Sequence, residues 1–132
     1  MSETTETLSD DECWELLEAA DVGRVIFRSG DDDIEVFPVT HHIGGRTILF
    51  RSAPGAKLAL VADRPRVAFE IDGHTEDEAW SVIAWGTAER LSADDEIMQS
   101  GLLSLVTWTD DQKHSYVRIT PDRLSGRRFT HS

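Results

Sequence analysis

The chain has one cysteine, two lysines and no long apolar run, and these shortages exclude several classes of protein. The single cysteine, Cys13, cannot form an internal disulfide, and a lone thiol fits a reducing compartment. No stretch approaches the roughly 18 consecutive apolar residues of a transmembrane helix. The acidic N-terminus also lacks the apolar core of a secretory signal. We therefore expect a soluble, cytoplasmic protein that does not bind membranes.

Basic residues are also scarce, because 13 Lys and Arg stand against 25 Asp and Glu for a net charge of −12. A chain this acidic repels DNA, RNA and anionic lipid, so we expect no nucleic-acid partner. Metal binding is not expected either. His41 and His42 are adjacent on a predicted strand and point to opposite faces. The aspartates at 31–33 fit a solvated turn better than an ordered ligand set.

The length of 132 residues favours one domain, with a disordered tail at 1–8 and a single domain at 9–132. Ser9 and Glu12 form a capping-box pattern that opens the first helix. The order then reads three strands, a short helix, two strands, a third helix and two strands. The predicted strands are 24–28, 34–43, 46–52, 67–72, 80–91, 115–120 and 123–129, and the later helices are 56–63 and 92–106. This order predicts a mainly β protein with helices (α+β), an antiparallel barrel with the helices packed outside.

A candidate phosphate site lies where the third strand ends and the short helix begins. Arg51, Ser52, Gly55 and Lys57 place two cations, a hydroxyl and free backbone N–H groups close together. Arginine can bind phosphate through two hydrogen bonds, and a helix N-terminus adds unpaired donors. The same residues also fit a strand-end arginine, a loop glycine and a solvated lysine without a ligand. The P-loop pattern is absent.

A second candidate surface is apolar and aromatic, formed by the segments Phe37–Thr40 and Trp80–Val82. A flat cofactor needs such walls and a few amide partners, although ordinary barrel core fits the same pattern. Pro38 lacks a backbone donor, which predicts an edge, a bulge or a place where the strand stops pairing. Gly86 predicts a bulge or a close backbone approach. Trp85 lies at odd spacing from Trp80, so one of them faces outward and marks an interface.

Several motifs in order resemble the flavin-binding split-barrel family, the pyridoxamine 5′-phosphate oxidase-like proteins. They are VGRVIF after the first helix, FPVT, GGRTILFRSAPGAKL, RVAFEID, WSVIAWGTAERL and ITPDRLSGRR, and they span Leu8 to Phe129. The resemblance implies an antiparallel split β-barrel of the FMN-binding type, a homodimer with FMN between subunits. It implies that the phosphate is held by Arg51, Ser52 and Lys57. It also implies that the flavin ring is flanked by Phe37, Pro38, Val39, Thr40, Phe50, Trp80, Ser81 and Val82.

The chain departs from the true pyridoxamine phosphate oxidases at its end, where RLSGRRFTHS replaces their longer substrate-binding segment. We therefore expect a flavin-dependent oxidoreductase acting on another small molecule, with His41 as a weak candidate proton donor. A deazaflavin is the second-ranked cofactor, because the chain offers few basic groups for its acidic tail. Two non-enzymatic hypotheses stay open: a non-catalytic flavin- or small-ligand-binding module, and a structural dimer without cofactor.

Overall fold

The computed structural model describes residues 3–28, 33–52, 65–91 and 115–131. These residues form one helix and seven strands. In chain order they are β1 (Glu3–Thr7), α1 (Asp10–Ala19), β2 (Val22–Arg28), β3 (Ile34–Gly44), β4 (Thr47–Ser52), β5 (Arg66–His74), β6 (Glu78–Leu91) and β7 (Ser115–His131). The helices predicted at 56–63 and 92–106 lie outside the described residues.

The strands form one antiparallel sheet whose order is β1-β7-β4-β3-β2-β5-β6. Strand β7 also pairs with β6, so the six strands β2 to β7 form a closed ring of pairings. The segment 116–119 of β7 lies between β4 and β6, whereas its last residues lie between β6 and β1. Most of the sheet is therefore protected from further strand pairing, because a ring has no free edge.

Alternating burial along the strands explains the single main core. On β2, for example, Val25 and Phe27 are buried, and their neighbours are more exposed. Strand side chains alternate between the two faces of a sheet, so this pattern places one apolar face inside the ring. The fully buried members with the largest side chains are Phe50, Phe69, Ile48, Ile71 and Ile119 on the strands and Leu17 on α1.

Helix α1 begins with the predicted capping box. The Glu12 backbone N–H donates to Ser9 Oγ at 3.2 Å, and the Ser9 N–H donates to Glu12 Oε1 at 3.0 Å. Three helix residues, Cys13, Trp14 and Leu17, are buried in the main core. The helix packs against β3, β6 and β7, and its Leu17 carbonyl meets a side chain that faces the interior of the ring. The helix thus packs its apolar side against the strands, and the predicted placement of helices outside a barrel stays a prediction.

Two segments differ from the sequence prediction. Residues 3–7 were expected in a disordered tail, but they form β1, paired with β7 from Glu3↔His131 to Thr7↔Arg127. Leu8, which follows, is buried and anchors this strand to the core. The last two predicted strands are one strand, β7, since its pairing with β6 continues past Pro121 through a register shift at Trp85/Gly86.

The irregularity at Gly86 confirms the predicted close approach. A Cβ at this position would lie 2.2 Å from the Thr120 carbonyl oxygen and 2.7 Å from Pro121 Cα. Only glycine lets the two backbones come this close. Within the described residues, no helix is long and apolar enough to cross a bilayer.

Candidate functional site

The end of β4 carries an arginine with one buried and unsatisfied nitrogen. Arg51 is half-buried, and its Nη1 atom is inaccessible to solvent and has no hydrogen-bond partner among the residues that the structure describes. A buried guanidinium nitrogen without a partner costs free energy comparable to a lost charged hydrogen bond. An anionic ligand at this position would remove that cost, and the phosphate-binding role of Arg51 stays a prediction.

The surroundings of Arg51 follow from the register of β4 and β7. Arg51 pairs with Tyr116, and Ser52 pairs with Ser115. Tyr116 packs against the small buried cluster of Leu49 and Leu91, which is separate from the main core. These apolar residues are on the same side of β4 as Arg51, since Leu49 and Arg51 are two residues apart. The Arg51 side chain therefore emerges beside a small apolar cluster, where its interactions with an anion are stronger than in water.

The neighbouring cation on β7 is already neutralised. Arg118 donates from Nε and Nη2 to Glu89 Oε1, at 2.9 and 2.6 Å. Both residues are partly buried and lie directly opposite each other on β6 and β7. Arg118 already donates to a carboxylate, so it is less available to a phosphate than Arg51.

Strand β3 changes its partner in the middle. Residues Val36 to Thr40 pair with β2, whereas His41 to Gly44 pair with β4. Between 34 and 40 the other side of β3 has no strand partner among the described residues. Among the described residues this agrees with an edge, one of the three alternatives that Pro38 predicted. The segment directly precedes His41, which pairs with Phe50, the residue before Arg51 on β4.

The predicted ring-binding segment alternates between the two faces of β3. Phe37 and Val39 are half-buried and pack against the main core, while Pro38 and Thr40 are exposed. The Phe37 ring lies 5.6 Å from the Phe27 ring, tilted by 40°. The segment thus offers an apolar inner side, an exposed outer side and, within the described residues, one backbone edge without a strand partner.

His41 is poorly placed to donate a proton to a ligand. The residue is 7% exposed, its ring stands edge-on to Phe69 at 5.0 Å, and its Nε2–H donates to the Leu17 carbonyl at 2.8 Å. Burial lowers the pKa of His41, while the hydrogen bond to Leu17 opposes that shift. The ring is therefore neutral near pH 7 and joins α1 to β3, which argues against the predicted acid role.

The Trp80–Val82 segment lies far from Arg51 within one chain. Trp80 pairs with Arg128 near the end of β7, whereas Arg51 pairs with Tyr116 near its beginning. These two partners are 12 positions apart on β7, which corresponds to about 40 Å along an extended strand. Strands β2 and β5 also separate β6 from β3. One chain therefore does not bring Trp80 and Ser81 to the Arg51 site.

The remaining predicted residues fall into two groups. Phe50 and Val82 are buried in the main core, so neither side chain is at the surface of this chain. Gly55 and Lys57 lie outside the described residues, and for Ser52 the structure describes the backbone. The described part of the chain contains no group of three or more His, Cys, Asp or Glu that could hold a metal ion.

Three residues near Arg51 were missed by the sequence analysis. Tyr116 and the Arg118–Glu89 pair come from β6 and β7, far away in the sequence, and reach β4 only through the register of the sheet. Tyr116 is the one tyrosine of the chain, but a single residue type carries no positional signal. The register is a tertiary property, so no local motif could have identified these residues.

A family model described as pyridoxamine 5′-phosphate oxidase matches residues 9–128 of the chain. An uncharacterized protein of Mycobacterium tuberculosis is 40% identical over 87 residues, which cover 66% of this chain and 79% of that protein. The FAD-binding protein from Mycobacterium smegmatis is 35% identical, with a TM-score of 0.82 and coverage of 96% of this chain and 100% of that one. An FAD-binding protein from Mesorhizobium loti is 26% identical, with a TM-score of 0.81 and coverage of 98% and 100%.

Proposed function

The chain belongs to the pyridoxamine 5′-phosphate oxidase family, and on that premise we propose that it binds a flavin nucleotide and uses it to oxidise or reduce a small molecule. The proposal includes the split-barrel form of the strand ring and a homodimer with the flavin between the subunits. It also keeps the expected cytoplasmic location. The family model matches residues 9–128, so the family assignment applies to nearly the whole chain.

The observation that carries the proposal is the buried Arg51 Nη1, which has no hydrogen-bond partner within the described part of the chain. FMN and FAD both present a phosphate that could accept its hydrogen bond. Ser52 follows directly on β4, and Lys57 is the second cation of the predicted site. These three residues would hold the phosphate, because charge-assisted hydrogen bonds are the strongest that a protein offers to such a group.

The free edge of β3 would hold the flavin ring. Phe37 and Val39 supply apolar contacts, and the backbone groups on the side of the segment away from β2, where no described strand pairs with it, supply donors and acceptors for the polar edge of the ring. A bound flavin supplies the redox chemistry, while the protein positions it and excludes water. His41 would stabilise this segment by its hydrogen bond to Leu17 and would not move protons.

The identity of the flavin has two candidates with separate support. The sequence favours FMN, since the chain has few cations for a longer anionic cofactor. FAD is favoured by the two solved structures, both of FAD-binding proteins that cover nearly all of this chain. A deazaflavin is the third choice. Parallel titrations with FMN and FAD decide between the first two.

A non-catalytic flavin-binding module is the second candidate function. It is favoured by the placement of His41, the predicted proton donor, which is buried and hydrogen-bonded to the Leu17 carbonyl. Adding NADH or NADPH to the flavin-loaded protein separates the two candidates. Bleaching of the flavin absorbance band supports an oxidoreductase, whereas a stable band supports the binding module.

The decisive test of the site is a flavin titration of wild type and Arg51→Ala, followed by quenching of flavin fluorescence. One charged hydrogen bond contributes about 1.5–3 kcal/mol, so the dissociation constant should rise roughly 10- to 150-fold. Arg46→Asn is the matched control. Arg46 is exposed, lies at the opposite end of β4 and has a φ of 58° that asparagine tolerates. Equal flavin affinity in wild type and Arg51→Ala would refute the site.

A further inference from the structure

Strand β1 lies outside the closed ring of strands and forms an open edge of the sheet. On one side it pairs with the last residues of β7. On its other side it has no strand partner among the residues that the structure describes. The backbone groups of such an edge can pair with an extended segment of another chain, which is a common way for proteins to bind peptides.

The backbone hydrogen bonds show which groups of β1 face outward. The Leu8 N–H donates to the Gly126 carbonyl at 2.9 Å, so these two residues face each other as a hydrogen-bonded pair. In an antiparallel pair, every second residue turns its N–H and C=O towards the partner strand, and the residues between them turn theirs away. Counting back from Leu8, the outward groups belong to Glu3, Thr5 and Thr7. Each of the three offers a donor and an acceptor to an added strand.

The side chains of β1 suit pairing with another strand. Thr4, Thr5 and Thr7 are exposed, and threonine favours extended backbone because it is branched at Cβ. The strand pairs with β7 in unbroken register and contains no lysine, proline or bulge, the features that commonly close a sheet edge. Among its described side chains the charged one is Glu6, which is 57% exposed. Negative charge is therefore the main barrier to strand addition here.

Acidic residues surround both ends of β1. Residues 1–23 contain eight Asp and Glu and no Lys, Arg or His, and Asp10, Asp11 and Glu12 follow shortly after the strand. At the beginning of the strand, the Asp77 carbonyl accepts a hydrogen bond from the His131 N–H at 2.8 Å, and His131 pairs with Glu3. This brings the acidic turn at 76–78 next to the beginning of β1.

The cations nearest to β1 do not reverse this charge. Arg128 lies opposite Glu6, and its Nη1 atom is 3.5 Å from Glu6 Oε1 and 3.9 Å from Glu12 Oε2. Its charge is therefore already shared between two carboxylates. The other arginine of β7 opposite β1 is Arg127, which pairs with Thr7. One remaining arginine does not offset the acidic residues at the two ends of the strand, so the edge stays negative.

We propose that β1 is a docking edge for an extended, basic segment of a partner protein, which adds to the sheet as a strand beside β1. The segment carries strand-forming residues opposite β1 and lysine or arginine at its two ends, where the acidic residues lie. Charge complementarity of this kind speeds encounter and excludes wrong partners. It also excludes a second copy of this chain at this edge, since two copies would bring like charges together. Such binding requires no flavin, so it goes beyond the proposed function.

The first experiment uses a fluorescein-labelled peptide, KKVTVTVKK, and fluorescence polarisation with the full chain. The five central residues of the peptide match the five residues of β1. We expect saturable binding that weakens as salt is added, because salt screens exposed charges. The peptides EEVTVTVEE and KKGSGSGKK, which lack the positive charge or the strand propensity, should bind at least about tenfold more weakly. No binding of KKVTVTVKK, or equal binding of KKGSGSGKK, would overturn the proposal.

Substitution of Thr5 tests the edge itself. Thr5→Pro removes an N–H that points away from β7, so it should leave the pairing of β1 with β7 intact and obstruct an added strand. We expect its dissociation constant for KKVTVTVKK to rise at least about tenfold. Thr5→Val is the matched control, because valine keeps the N–H and the strand propensity. Equal affinity in Thr5→Pro and Thr5→Val would refute β1 as the docking edge.

Amide hydrogen exchange of the wild type does not depend on how a variant folds. With KKVTVTVKK bound, the Thr5 and Thr7 amides should exchange more slowly, because their N–H groups become hydrogen-bonded. The Glu6 amide, which already faces β7, should change little and serves as the internal control. Unchanged exchange at both threonines would contradict strand addition.

Sedimentation of the protein without peptide decides whether a second copy takes this edge instead. Equal association states of Thr5→Pro and Thr5→Val would support a partner of different chemistry. A lower association state in Thr5→Pro alone would show that β1 pairs with another copy of this chain, and would overturn the choice of a basic partner.

Discussion

Substitution of Gly86 offers a sharp test of how β6 and β7 are joined. A Cβ at Gly86 would lie 2.2 Å from the Thr120 carbonyl oxygen and 2.7 Å from the Thr120 carbonyl carbon. These are backbone atoms of the neighbouring strand, so they cannot rotate away as a side chain would. Gly86→Ala must therefore separate the two strands at the point where their register shifts.

The magnitude follows from two opposing terms. Overpacking of this kind costs about 1–3 kcal/mol, and a clash with backbone belongs at the upper end. Alanine also restricts the unfolded chain, which stabilises the folded state by about 0.4–1 kcal/mol. We expect a net loss of about 2 kcal/mol in the free energy of unfolding. For a chain of 132 residues this lowers Tm by roughly 7 °C.

Urea unfolding followed by circular dichroism measures this loss, with Gly45→Ala as the control. Gly45 has a φ of +60°, but a Cβ there meets no atom within 4 Å. Gly45→Ala gains the same stabilisation from restricting the unfolded chain, and it loses about 1–2 kcal/mol because alanine disfavours the left-handed backbone conformation. The net loss in the free energy of unfolding is about 1 kcal/mol. If Gly86→Ala were as stable as Gly45→Ala, the close approach of β6 and β7 would be refuted.

Two further predictions concern α1. Burial lowers the pKa of His41, so the unfolded chain takes up a proton at a higher pH than the folded chain does. The free energy of unfolding should therefore fall as the pH drops below about 6.5. His41→Asn should flatten that dependence in urea titrations at several pH values. An equal pH slope in both proteins would contradict this. Ser9→Ala removes the N-cap acceptor and should destabilise the protein by about 1 kcal/mol, whereas Ser9→Asp should keep most of the stability in thermal melts.

Much of the fold could be predicted because its signals are local. The capping box at Ser9, the alternating strand β5 and the close approach at Gly86 each follow from neighbouring residues, and the structure confirms them. The strand β1 could not be predicted, because its polar sequence pairs only when the far end of β7 is present. The break predicted at Pro121 was wrong, because a bulge opposite Gly86 lets β7 continue.

The candidate site was predictable in part for the same reason. Arg51 stands out in the sequence as a cation at a strand end, and the structure adds the buried atom that makes an anion favourable there. The family resemblance places Trp80 and Ser81 at the same site, but the register separates them from Arg51 within one chain. Sequence distance and strand order alone could not reveal that separation.

The sequence by itself determined the family and the antiparallel strands, because these depend on local patterns and residue chemistry. The tertiary structure decided which residues meet. It closed the six strands into a ring, made His41 a buried link to α1, and aligned Val36, Ile26, Ala68 and Trp85 in one row across four strands. Contacts between distant segments depend on strand register, which the whole core sets and no single segment encodes.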